Sequence, residues 1–413
     1  MRVAAIAGVL VVALLAVNAG AATRTAPPPT PVPPHGSPSP FPTVLATPAD
    51  PTREPTIDAS AALLADLDSG QILFSIQPRT PRPIASLTKL MTALLARQAL
   101  PLDRVVRVDQ RAEFHRDDFG SSSTLGLRAG ERITVHDLLY ALLLGSANDA
   151  AVELAIAVDG SEVAFVRHMN RRARSLGMTQ THLASASGLD DDGRSTPRDL
   201  LQLARAVEAD RVLRSIVATR FHRIPAPKGP ARIIQNRNAL LWLSGTATGM
   251  KTGTTQGAGA CVVATASRNG RHLVAIVLGA QEDPFSPAAS LLDYGFQGWR
   301  ADTIVAAGAP VGAIAIRGGT VPVIAAHDLT RLVPVRSSER SEQVVVDPRA
   351  AFPPAPDDRV ATLVIREGDI VLGSVPLLVP DVPPPPASSG PWWTRAAGAV
   401  GGAVVDAVEA LAA

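Results

Sequence analysis

Apolar and polar positions along the chain change texture several times. Arg2 is followed by an apolar run, Val3 to Val17, and then by the small residues Asn18-Ala19-Gly20-Ala21-Ala22. A basic start, a short hydrophobic stretch and small residues predict a secretory signal over 1–22. The run is short for a membrane-spanning helix, and an uncleaved anchor is the alternative reading. From 23 to 56 proline, threonine and serine dominate, as in Pro27-Pro28-Pro29 and Ser37-Pro38-Ser39-Pro40. Such a stretch is extended and forms no core, so a linker or stalk is expected.

Globular patterning begins near Ile57. Ala61 to Asp66 and Gln71 to Ile76 flank Leu67-Asp68-Ser69-Gly70 and predict a hairpin. Helical periodicity dominates from Ser86 to about Val212. Ala260 to Ala266 and His272 to Gly279 read as apolar strands joined at Asn269-Gly270, a strong turn dipeptide, and a helix follows over 288–295. These elements predict an α/β (α+β) domain over 57–299 in which an antiparallel sheet packs against helices. After Trp299 the segments are short and β-branched: Thr303 to Ala306, Gln343 to Val346, Val360 to Ile365 and Val375 to Val379. They predict a small all-β domain over 300–380. The remainder, 381–413, begins as a second proline-rich linker. It ends in Trp392-Trp393 and an apolar stripe of Val400, Val404, Val408 and Leu411. Membrane-surface contact through this tail and a frayed terminus are the two readings of it.

Composition narrows the chemistry. Of 413 residues 46% are hydrophobic and 18% charged, enough for large cores, and the net charge of +2 comes without a basic block. Nucleic acid is therefore not an expected partner. The single cysteine, Cys261, excludes an internal disulfide and is expected to pack in the sheet. His-Glu-x-x-His is absent and no two histidines stand three or four apart, so neither metal nor other cofactor is expected. Lys+Arg total 39, yet the only lysines are Lys89, Lys228 and Lys251. Where arginine serves almost every cationic position, a surviving lysine is a candidate for chemistry that arginine cannot do, namely giving up its proton.

Two of those lysines stand in motifs. In Ser86-Leu87-Thr88-Lys89 the three-residue spacing places hydroxyl and amine one helical turn apart, a nucleophile beside a base that works only while neutral. Ser146-Ala147-Asn148 follows the apolar helix Leu138 to Leu144, which Gly145 breaks, so the triplet is expected on a connection. Ser146 is a candidate proton relay to a departing amine. Asn148 is a candidate to hold a substrate carbonyl and orient Lys89. In Lys251-Thr252-Gly253-Thr254, strand alternation points Lys251 and Gly253 the same way. Lys251 would attract an anionic terminus and raise the field on Ser146, Thr252 would hydrogen-bond that terminus, and Gly253 would let a substrate backbone approach. The N–H groups of Thr254 and Ser86 would bind a developing oxyanion. Taken singly, each motif also fits a helix cap, a turn or an ordinary strand edge.

Taken together, Ser-x-x-Lys, Ser-x-Asn and Lys-Thr-Gly, about 60 and then about 100 residues apart, are the signature of penicillin-recognising serine acyl-enzymes. Ala85 to Ala93, Ser146 to Ala155, Met169-Asn170, Leu176-Gly177-Met178, Gly188-Leu189, Asn236 to Leu241 and Gly249 to Gly253 resemble the low-molecular-mass D-alanyl-D-alanine carboxypeptidases, peptidase family S11. The resemblance covers about 57–299; Gly368-Asp369 and Gly373 to Leu377 are weakly similar to that family's second domain. It implies a serine β-lactamase/transpeptidase-like fold. It also implies a peptidoglycan stem peptide ending in D-Ala-D-Ala as substrate, β-lactams as inhibitors, and an extracytoplasmic address. Two departures stand out: Ala147 replaces the family's usual glycine, and Gln281-Glu282 stands where some members carry a carboxylate-binding arginine. A class A-like β-lactamase is the nearest rival, but no Glu-x-x-Leu-Asn lies between Asn148 and Lys251, and Glu162 reads as helix surface. A non-catalytic wall-associated scaffold is the other rival, and an endopeptidase activity of the same residues stays open. His182, Asp190 and Arg194 flank Gly188-Leu189 and read as solvated loop residues.

Overall fold

The computed structural model describes residues 50–113, 123–225, 231–336, 340–350, 352–367 and 370–381. The signal segment, most of the first proline-rich linker, Gly368-Asp369 and the C-terminal tail lie outside the described residues.

In chain order, the hairpin β1 (Ala61–Asp66) and β2 (Ile72–Ile76) leads to the short β3 (Arg82–Pro83), a 3-10 turn over Ala85–Thr88 and helix α1 (Lys89–Ala99). A small ladder, β4 (Val105–Arg107) with β5 (Arg132–Thr134), precedes α2 (Val135–Leu143), α3 (Asn148–Asp159) and α4 (Glu162–Ser175). Then come β6 (Arg194–Ser195), which pairs with β3, and the helices α5 (Pro197–Ala209) and α6 (Arg211–Ala218). The hairpin β7 (Phe221–Ile224) and β8 (Arg232–Gln235) and one turn of helix, α7 (Leu240–Leu243), lead into the long strands β9 (Ala247–Thr255), β10 (Gly259–Arg268) and β11 (Arg271–Ala280). Helix α8 (Phe285–Gln297) closes this part. Seven strands follow: β12 (Trp299–Val305), β13 (Pro310–Ile316), β14 (Gly319–Ala325), β15 (Leu329–Pro334), β16 (Arg340–Val346), β17 (Arg359–Glu367) and β18 (Ile370–Leu378).

The main sheet is antiparallel, in the order β2-β1-β11-β10-β9. Its alternation divides two cores. Ala61, Leu63, Cys261, Val263, Val274, Ile276 and Leu278 face the α1–α6 side, while Ala62, Leu64, Val262, Ala264, Ala275 and Val277 face α8. Side chains two apart share a face, so β1 is buried throughout, as a central strand covered on both faces must be. Asn269 and Gly270 both adopt positive φ, 51° and 74°, which turns β10 into β11 at the dipeptide predicted for it.

The helix expected over 288–295 is longer, 285–297, and its last turn is satisfied by Arg271, whose guanidinium donates to the carbonyls of Gly295, Phe296 and Trp299. The C-terminal strands form a five-stranded sheet, β13-β14-β18-β17-β16, and the pair β12-β15, around a separate core that includes Val323, Leu363, Ile365, Val375 and Leu377. Strands β13, β14 and β15 were not anticipated: Gly, Ala and Pro interrupt the β-branched pattern of β13 and β14, and β15 is short and carries Arg331 among its apolar residues. The Gln71 side chain joins the two parts, donating to Leu332 O at 2.7 Å and accepting from Leu332 N at 3.0 Å. Among the described residues no helix is long and apolar enough to cross a membrane.

Candidate active site

Three elements carry the candidate groups. The 3-10 turn before α1 holds Ser86; Leu87, fully buried, anchors it, and Leu87 N–H closes it on Ile84 O. Ala85 sits at φ +48°, a strained value for a residue with a Cβ, so the packing around the turn holds it there. Ser86 stays partly exposed, whereas Lys89, the first residue of α1, is completely buried. Ser146 follows the end of α2 at φ +60° and is buried. Asn148 is not on a connection, as expected, but is the first residue of α3. Its backbone N–H bonds Ser123 O at 2.8 Å, and the next residue, Asp149, accepts from the N–H groups of Leu125, Gly126 and Leu127. That buried carboxylate fixes the loop beside the site.

Lys89 Nζ lies 2.9 Å from Ser86 Oγ, 2.7 Å from Asn148 Oδ1 and 2.7 Å from Ser187 O. Two of these partners are carbonyl oxygens, which only accept. A neutral amine has two N–H groups for them and a lone pair left for the Ser86 hydroxyl proton. Burial, then the Arg237 guanidinium, brings Lys89 down to about 7, against a raising effect of Asp149. The geometry and the charge balance both favour a base that is neutral part of the time near neutrality. Ser146, expected near Lys89, is not one of its three partners.

Lys251 is buried on β9, the sheet edge, and donates to Thr252 O at 2.8 Å. Burial first, then the like charges of Lys89 and Arg237, holds it well below the ordinary lysine value. Both lysines therefore point inward to one charge-coupled site. Gly253 has a different reason from the one expected. A Cβ there would lie 2.9 Å from Ser86 N and 3.1 Å from Ile84 O, so the glycine admits the chain's own nucleophile turn against β9. Thr252 is half-buried and Thr254 exposed along the same edge.

Several participants carry no sequence signal. Ser187 contributes only a backbone oxygen, held by its loop: Thr92 Oγ1 donates to Ala186 O at 2.7 Å and Ala186 N donates to Glu162 Oε1 at 2.9 Å. Glu162 is thus a loop tether rather than a solvated helix residue. Gly188, at φ +65°, lets the loop press against Ala85, where a Cβ would meet Ala85 O at 2.1 Å. The far end of this loop is tied to β9 by the Thr255 hydroxyl on Asp191. His182 and Arg194 are exposed and pair through their backbones. Asp190 accepts from the N–H groups of Asp192 and Gly193 and shapes the turn. Arg237, exposed at the rim, acts on both lysines by charge. A cavity of about 380 Å³ adjoins the site, lined by Thr124, Ala141, Gly145, Ala147, Gln235 and Arg237 among others. Cys261 is buried opposite Gly253, and burial pushes its thiol up to about 11, so it is not a nucleophile.

The D-alanyl-D-alanine carboxypeptidase family, Peptidase S11, matches residues 48–282. The chain is similar to D-alanyl-D-alanine carboxypeptidase DacC of Escherichia coli, 35% identical over 258 residues, or 59% of this chain and 62% of DacC. It is also similar to D-alanyl-D-alanine carboxypeptidase DacB2 of Mycobacterium tuberculosis, 36% identical over 257 residues, or 60% of this chain and 86% of DacB2. The chain thus spans less than two thirds of DacC and most of DacB2. The structure of penicillin binding protein 5 from Haemophilus influenzae superposes with a TM-score of 0.65 at 26% identity, covering 80% of this chain and 98% of that one. This coverage includes both the transpeptidase-like α/β domain and the C-terminal β domain. With the family matching over half of its length and relatives above one-third identity, the chain belongs to the peptidase S11 family of D-alanyl-D-alanine carboxypeptidases.

Proposed function

We propose that the chain is a serine D-alanyl-D-alanine carboxypeptidase that removes the terminal D-alanine from peptidoglycan stem pentapeptides. The observation that carries this reading is the buried Lys89 amine bonded at once to Ser86 Oγ and to two carbonyl oxygens. Neutral Lys89 takes the Ser86 proton as Oγ adds to the carbonyl carbon of the penultimate D-alanine. The N–H groups of Ser86 and Thr254 receive the negative charge that develops on the carbonyl oxygen. The C–N bond then breaks. The leaving amine takes a proton from Ser146, and the Lys89 ammonium, which does not bond Ser146 in the free protein, restores it once the hydroxyl turns toward it. Water attacks the resulting ester, Lys89 accepts its proton, and the proton returns to Ser86 Oγ as the acyl group departs. Asn148 holds Lys89 through its oxygen and leaves its NH2 for a substrate carbonyl. Lys251 and Thr252 receive the terminal carboxylate, and that carboxylate supplies Lys251 with the counter-charge its burial lacks.

The resemblance to penicillin-binding relatives supports β-lactams as acylating inhibitors of the same hydroxyl. The remaining organisation belongs to the same proposal: a signal over 1–22, a linker over 23–56, a catalytic domain over 57–299, a β domain over 300–380 and a linker with a surface-contact tail over 381–413. Together they put the enzyme at the cell wall or the outer face of the cytoplasmic membrane. The test is D-alanine release from a stem pentapeptide. Release by the wild type and its loss by about 10³-fold or more in Ser86→Ala is the expected result. No release by the wild type favours the scaffold, and sustained penicillin hydrolysis without release favours the β-lactamase.

A further inference from the structure

Away from the catalytic lysines, α2 and β7 bring a second set of polar groups together. His136 and Asp137 are neighbours near the start of α2, and His222 comes from β7, 85 residues beyond Asp137. One ligand atom from each of the three lies within 4.8 Å of the others, and His222 Nε2 is 2.8 Å from Asp137 Oδ1. The imidazoles of His136 and His222 meet edge to face, with centroids 5.7 Å apart. All three side chains are half-buried, open enough for an ion to enter and shielded enough to hold it.

We propose that His136, Asp137 and His222 are the protein ligands of a divalent transition-metal site of the zinc class, with water in the fourth position. Zinc–ligand bonds of about 2.0–2.2 Å put tetrahedral donors roughly 3.3–3.6 Å apart. The observed separations, from 2.8 Å up to 4.8 Å, bracket that value, so small side-chain rotations close the set. Two imidazoles and one carboxylate select zinc, cobalt, nickel or copper over calcium and magnesium, which prefer all-oxygen sites. The groups around the set are those that orient ligands. Tyr140 stacks on the His222 ring at 3.7 Å and 10°, and also contacts His136 edge-on. Asp137 Oδ2 accepts from Thr134 Oγ1 at 2.8 Å, which leaves Oδ1 turned to His222. The helix start of α2 opposes a cation, and the Asp137 charge offsets it.

A histidine-spacing search of the sequence overlooks this site because two ligands are adjacent and the third arrives from a distant hairpin. The consequence reaches the catalytic region. The far end of α2 leads to Gly145 and Ser146, and β8, the partner of β7, leads to Asn236 and Arg237. Ala141 of α2 and Arg232 to Gln235 of β8 line the cavity that also takes in Gly145, Ala147 and Arg237, so a metal joining α2 to β7 would hold those walls at a fixed separation.

The experiment uses the full chain, without a histidine tag and stripped with a chelator. Zinc is titrated by calorimetry, and cobalt binding is followed through the visible bands of a four-coordinate site. One ion per chain is expected, with affinity reduced at least about tenfold in His136→Ala and in His222→Ala, and unchanged in His327→Ala, an exposed histidine of the β domain. A zinc-dependent rise in Tm is expected in the wild type and lost in the two variants. If His222→Ala does not fold, His136→Ala decides, since its ring makes no hydrogen bond to Asp137. Absence of binding means an ordinary His–Asp hydrogen bond and overturns the proposal. Binding that survives in the folded histidine variants assigns the ion to other groups and overturns it equally.

Discussion

The pH dependence of acylation follows from one buried amine. With Lys89 titrating at about 7, about half of the molecules carry it neutral at pH 7. An ordinary lysine would be neutral in only about 0.03% of molecules, so burial and neighbouring charge raise the reactive fraction on the order of 10³-fold. The sign is fixed by the chemistry. The neutral form is the base, so acylation falls as pH drops through about 7, by about fivefold between pH 7 and pH 6, and less than doubles between pH 7 and pH 8. Lys251, held below its ordinary value, loses its charge earlier than a free lysine as pH rises, which gives the profile a falling limb. The perturbation is Arg237→Gln. Arg237 is the second cause of the Lys89 depression; its side chain reaches solvent although burial lowers its own pKa, and an effect of about 1 kcal/mol corresponds to about 0.7 of a pH unit. Removing it moves the rising limb upward and slows acylation at pH 7 by about threefold. The assay is the second-order acylation rate with a fluorescent penicillin between pH 5.5 and 9. A flat profile, or a rising limb that stays put or moves down in Arg237→Gln, refutes the reasoning.

Three further outcomes are expected. Asn148→Ala leaves one Lys89 N–H unpaired in a buried site, a loss of about 1–3 kcal/mol, so acylation slows by about 5- to 150-fold while the circular dichroism spectrum is retained. Gly253→Ala puts a Cβ 2.9 Å from Ser86 N, which forces the nucleophile turn away from β9. Acylation should fall at least about tenfold with a smaller change in Tm, measured side by side. Gln71→Ala removes both bonds to the Leu332 backbone and destabilises the junction by about 1–2 kcal/mol. Proteolysis near β12 should accelerate while the acylation rate stays unchanged.

The site was legible where chemistry is local in the chain. Ser86 and Lys89 are one turn apart, and the three-lysine composition marked Lys89 and Lys251 before any fold was considered. Long strands with alternating faces, such as β10 and β11, declared themselves by pattern and by Asn269-Gly270. What stayed hidden depends on chain crossings. Ser187 acts through a carbonyl that every residue possesses, and Arg237 is one of many arginines. Glu162 reads as a surface residue until the 185–193 loop folds onto it. Asp149 is buried, yet nothing in its neighbourhood in sequence announces the three loop N–H groups that satisfy it. Ala85 and Ser146 take positive φ against their own preference, because tertiary packing overrides local propensity at these turns. Gly253 was readable as a close approach, but not whose backbone approaches.

The central claim is that Ser86 Oγ is the atom that becomes acylated. Intact-mass analysis after brief exposure to penicillin, followed by peptide mapping, tests it most directly. One adduct per chain, on the peptide containing Ser86, with none on Ser86→Ala, is the predicted result. An adduct that persists in Ser86→Ala, or an unmodified wild type under conditions that acylate its relatives, contradicts the account.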